Sequence, residues 1–132
     1  MEKGSATAEL VLLTPLLMLV ALFAVAAGRL VAARLEVNDA AHQAARAASM
    51  ARTPSAADTA ARSAVESALG ATRATCASRS VNVGLGSFRP GGNVTVTVTC
   101  HAKLSDVAMV HIPGSAALTS SFVVPIDYWR SQ

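Results

Sequence analysis

Hydrophobic positions change their spacing twice along this chain, and the changes divide it into three kinds of element. From Leu10 to Gly28 nearly every residue is apolar and none is charged. From Arg34 to Ala51 the apolar residues Leu35, Val37, Ala40, Ala41, Ala44, Ala45 and Ala48 alternate in helical fashion with Glu36, Asn38, Asp39, His42, Gln43 and Arg46. No turn signal separates the two runs, so the sequence predicts one long helix from Gly4 to about Ala48, ended by Arg52-Thr53-Pro54. At about 1.5 Å per residue, Leu10 to Gly28 reaches roughly 28 Å, close to the ~30 Å of a bilayer's hydrocarbon core. Pro15 removes the hydrogen bond that its N–H would give to the Val11 carbonyl and predicts a kink. Ala24, Gly28 and Ala32 recur every fourth residue, a spacing that lets helix backbones approach closely in lipid.

A second helix is predicted to start at Ser55, with Asp58 completing a capping box and Gly70 as its stop. Ala57, Ala60, Ala61, Ala64, Val65 and Ala68 form its buried side. After a linker from Ala71 to Ser80 the period becomes two. Val81, Val83 and Leu85 make one strand, and Val94, Val96, Val98 and Cys100 alternate with threonines in the next, joined through Arg89-Pro90-Gly91-Gly92. Pairing Phe88 with Asn93 sets Val81 across from Cys100, Val83 from Val98 and Leu85 from Val96. Leu104 to Ile112 reads as either helix or strand. Ala117 to Ile126 reads as a third strand, with Pro125 placing it on an edge. The expected fold class is α+β: a long N-terminal helix, a second short helix and a small antiparallel sheet.

Composition narrows the function. Of 132 residues 52% are hydrophobic, 4% aromatic and 14% charged, and the net charge of +3 comes from scattered arginines. A nucleic-acid surface clusters its basic residues among aromatics, and this chain does neither. His42, His101 and His111 are scattered and fall in no metal-binding motif, so no metal site is expected, and Cys100 and His101 fall on opposite faces of a strand. No nucleophile elbow or phosphate-cradling loop is present, so neither an enzyme nor a bound cofactor is expected. Cys76 and Cys100 both lie beyond the apolar run. An even count in a small domain behind a membrane segment favours a disulfide in an oxidising compartment over two buried thiols. Lys3 and the α-amino group favour an N-terminus inside, whereas Arg29 and Arg34 pull the other way. The cysteines then place the C-terminal domain outside.

Glu9 is the one carboxylate at the threshold of the apolar run. It reads equally as a helix-start acid favoured by the macrodipole or as a charge held for a partner. The residues Gly4-Ser5-Ala6-Thr7-Ala8-Glu9-Leu10, Thr14-Pro15-Leu16, Gly28-Arg29, Arg34-Leu35-Glu36-Val37-Asn38-Asp39-Ala40-Ala41 and Ala44-Ala45-Arg46-Ala47-Ala48 weight the second reading. In order and spacing they resemble the TadE-like minor pilins, or pseudopilins, of bacterial tight-adherence type IV pili. The chain departs from that pattern at Ala26, where relatives often carry an acid, and at Ala32-Ala33, where they carry an aromatic.

The resemblance implies cleavage by a membrane prepilin peptidase between Gly4 and Ser5. Glu9 would then pair with the N-terminal amine of a neighbouring subunit during assembly. It also implies residues 1–4 as leader, 5–33 as the transmembrane part of the helix, 34–52 as its amphipathic continuation and 53–132 as an extracytoplasmic α+β domain. The implied partners are the membrane, the peptidase, other pilin and pseudopilin subunits and the pilus assembly platform. The implied location is the inner membrane, then a surface pilus that the chain helps to build or cap. Two competing readings remain. Ala24-Val25-Ala26 resembles an ordinary signal-peptidase site, and an uncleaved, single-pass envelope protein would carry a binding or secretion-accessory domain on the same anchor.

Overall fold

The computed structural model describes residues 2–71, 76–105, 113–127 and 129. Two helices, α1 (Glu2–Met50) and α2 (Pro54–Ala71), precede three strands, β1 (Cys76–Gly84), β2 (Asn93–Lys103) and β3 (Ser115–Pro125). The strands form one antiparallel sheet in the order β1-β2-β3. The fold is therefore α+β, as the change of period from helical to alternating predicts.

Only the second half of α1 belongs to the packed domain. Ala33, Val37, Ala40, Ala41, Ala44, Ala45 and Ala48 are buried at the three- and four-residue spacing of one helix face. They meet Ala57, Ala61, Val65 and Leu69 of α2 and the inner face of β2, made by Val94, Val96, Val98 and Cys100. Leu35, expected in this stripe, stands two residues from Val37 and thus on nearly the opposite face; it is 63% exposed. Because α1 contributes alanine to this seam everywhere but at Val37, it approaches α2 and the sheet closely. Ala44→Leu is expected to overpack it and cost about 1–3 kcal/mol. Leu35→Ala should change stability by no more than about 0.5 kcal/mol. Denaturant unfolding of the full chain in detergent checks both.

The start of α2 differs from the sequence expectation. Thr53, not Ser55, caps it: Thr53 Oγ1 accepts from the Ala56 N–H at 3.2 Å. Pro54 takes the first helical position, where its fixed φ and missing N–H cost nothing. Asp58 is not part of a capping box but accepts from Arg62 Nε at 3.0 Å, one turn on, and this hydrogen bond raises the guanidinium above its ordinary pKa. Gly70 does not stop the helix, which runs on to Ala71.

The hairpin register also differs, by two residues. Val81 pairs with Val98, Val83 with Val96 and Arg79 with Cys100, so Phe88 and Asn93 are not partners. A slip of two keeps every side chain on its own face. Alternation alone therefore cannot choose between the registers, and the turn decides. Leu85 to Gly92 forms a longer connection, in which Gly91 has φ of 81° and a Cβ on Gly92 would lie 2.5 Å from the Ser87 carbonyl oxygen. The Gly91 N–H donates to the Ile126 carbonyl at 2.9 Å, and the Ile126 N–H donates to the Gly92 carbonyl at 2.7 Å. The residues after β3 thus fasten this turn. Strand β1 also begins earlier than expected, taking Cys76 to Ser80 out of the linker, and β3 begins at Ser115 rather than Ala117. The ambiguous segment up to Ile112 lies outside the described residues from position 106 onward.

Two contacts fix the direction of β3 against α1. Ser120 Oγ bonds to Asn38 Oδ1 at 2.7 Å, and the Phe122 ring meets His42 edge-on at 4.8 Å between centroids. Residue number rises along both elements together. Strand β3 thus runs in the direction of α1, as does β1, while the central β2 runs back.

Candidate membrane and assembly surface

The first half of α1 touches almost nothing in its own chain. From Leu10 to Val25 the large apolar side chains stand in the open, from 49% exposed at Leu13 to 76% at Phe23. The most apolar 18-residue window of the helix has a mean hydropathy of 2.7 and is 0% buried. Contiguous apolar surface of this extent marks contact with lipid or with protein. Length and composition suit this helix to cross a membrane, and the domain supplies no other cover for it.

Each sequence-predicted residue on the rod can be placed. Gly4 and Ser5 are exposed, and Glu9 is exposed one helical turn beyond Ser5 on the same side. A carboxylate here can reach a charge at position 5 or one on a neighbouring molecule. The helix continues through Pro15. One residue before it, Thr14 Oγ1 donates to the Leu10 carbonyl at 2.7 Å, a side-chain bond of the kind that supports helical backbone near proline in lipid. Ala24, Gly28 and Ala32 form an exposed stripe, and a Cβ built on Gly28 would meet nothing within 4 Å. That stripe is free to receive another helix. Arg29 and Arg34, both exposed, stand at the end of the apolar run nearest the domain.

Cys76 and Cys100 lie apart from the rod, bonded to each other across the sheet with Cα atoms 5.4 Å apart. A one-residue bulge between Cys76 and Ser78 makes this possible. Arg79, Val81 and Val83 occupy the inner face at odd positions, and the extra residue turns even-numbered Cys76 to the same side. Sequence reasoning kept Cys76 off the strand because alternation stops at Val81. Bulges carry no period of their own, and nothing in the pattern announced this one.

Sequence reasoning also missed the treatment of the β1 edge. Arg62 Nη1 donates to the Val81 carbonyl at 3.2 Å, and Glu66 lies 3.7 Å from Arg79. Two charged side chains of α2 therefore reach β1. His101 is exposed while Cys100 is buried, on opposite faces as strand geometry requires. His111 lies outside the described residues.

No curated protein and no solved structure matches the chain. Residues 4–46, which take in the exposed rod and most of the packed alanine stripe, match the family model of TadE-like proteins, so it is in its long N-terminal helix that the chain is similar to that family.

Proposed function

We propose that this chain is a minor, pilin-like subunit of a tight-adherence pilus system. It is held in the inner membrane by residues 5–33 before assembly and helps to build or cap the fibre afterwards. The observation that carries this reading is the division of α1: one continuous helix is packed along one face from Ala33 onward and largely uncovered before it, in a stretch similar to TadE-like proteins. A rod of this kind can be solvated by lipid in one state and by neighbouring rods in another, with no refolding of the domain. The exposed Ala24, Gly28 and Ala32 stripe allows close contact in both. In this reading the N-terminus is inside and the domain outside, where a disulfide persists. The helix and sheet hold and present the chain, and no chemistry is asked of them.

The test is the N-terminal residue of the membrane-extracted protein, determined by mass spectrometry from cells with and without their prepilin peptidase. A start at Ser5 that depends on the enzyme is expected. An intact Met1 in both would leave an uncleaved single-pass envelope protein, and a start at Ala27 would make the rod a discarded signal sequence.

A further inference from the structure

The two edges of the sheet are treated unequally. Strand β1 carries the charged Arg79, which pairs with Glu66 of α2, has a bulge between Cys76 and Ser78, and has its Val81 carbonyl bonded by Arg62. Along β3, among the described residues, no side chain or backbone group bonds to the outward-facing amides and carbonyls. An unpaired edge is normally kept short or protected by charge, proline or a bulge. Strand β3 is 11 residues long, pairs with β2 in unbroken register and carries no charged residue, and its one proline is the last residue. On its outward sheet face Thr119 and Ser121 are exposed, and Val123 is 57% exposed.

We propose that the free edge of β3 is a strand-addition site for an extended segment of a different protein, which pairs antiparallel to it. Backbone hydrogen bonds define the occupant as an extended strand, and the uncharged edge suits side chains that are themselves uncharged. Direction disfavours a second copy as the natural occupant. Copies anchored in one membrane by α1 point the same way, and both edges of this sheet run with α1. A co-oriented copy therefore offers only parallel pairing, the less stable kind per residue, and its β1 edge is interrupted by a bulge, the charged Arg79 and the Arg62 bond. An antiparallel partner must bring a strand that runs back towards the membrane. The inference rests on the anchoring of α1 but not on cleavage after Gly4, so an intact Met1 would leave it standing.

The experiment places a photoactivatable crosslinker at Thr119 of the full-length chain in cells that make its pilus system, and separately at Asn82 on β1. Illumination is expected to join Thr119 to a different protein and to give no adduct above background at Asn82. Val123→Lys, which sets a charge beside the edge, should abolish the Thr119 adduct. An unreduced chain that retains its Cys76–Cys100 bridge shows that this variant still folds. An adduct only with another copy of the chain, equal adducts at both positions, no adduct at Thr119, or an adduct unchanged by Val123→Lys would each overturn the proposal.

Discussion

Glu9→Ala is expected to leave the protein inserted and cut after Gly4 but absent from sheared filaments. The carboxylate stands at the exposed start of a run with no other charge as far as Gly28. While the chain is anchored there, Glu9 stays at the water boundary and costs little. In a fibre core it is surrounded by neighbouring rods. An unpaired charge in an apolar interior costs several kcal/mol, whereas a carboxylate paired with an amine is tolerated. In the proposed fibre, Ser5 with a free amine, one turn away on the same face, would supply that charge on each neighbouring subunit. The pair would then make entry specific for cut chains set at the correct axial level. Glu9→Gln keeps size and polarity but not charge, and it should fail in the same way. The measurement is the distribution of the protein between membrane and sheared fibre, with the N-terminal residue determined in both. Normal incorporation of Glu9→Ala would remove the pairing role and leave Glu9 as a helix-start acid.

The second large effect is on stability. Breaking the Cys76–Cys100 bond with Cys76→Ala and Cys100→Ala together should lower the unfolding free energy by about 3.5 kcal/mol in the chain-entropy account of a loop this long. The cysteines are 24 positions apart, and the loop they close contains β1 and the whole hairpin turn. Without the bond, β1 is held by its pairing with β2 and by the two side chains from α2. The first strand residues, before the bulge, should then fray. Alanine is used because Cys100 is fully enclosed and a serine there would add an unpaired hydroxyl to the core. Denaturant midpoints of the full chain in detergent, for the native and double variant proteins, test the figure. Equal midpoints, or thiols that alkylate in the unreduced native protein, would contradict it.

The parts of the fold that were readable share one property, a period. Helical spacing from Val37 to Ala48 and alternation from Val94 to Cys100 each name an inner face, and the structure buries those faces. Leu35 shows how a wider apolar list can overrun its own period. The features that were not readable depend on groups distant in sequence or on backbone geometry. The cap at Thr53 is an exception, since Pro54 favours the first helical position and its local signal was passed over for Ser55. The hairpin register was ambiguous modulo two, and Ile126, far along the chain, resolves it by fastening the turn.

The same distinction holds for the functional surface. By itself the sequence determined that a long apolar helix leads into an alanine-faced one, that a single carboxylate marks its start, and that the first third is similar to TadE-like proteins, because composition, charge and helical spacing are local properties of the chain. Only the tertiary structure decided where along α1 packing begins, that a bulge turns Cys76 towards Cys100, and that α2 bonds to one sheet edge while, among the described residues, none bonds to the other. Each of these depends on which distant groups meet. Periodicity fixes the face a residue points to, whereas the partner on that face is chosen by packing, turn length and strand direction.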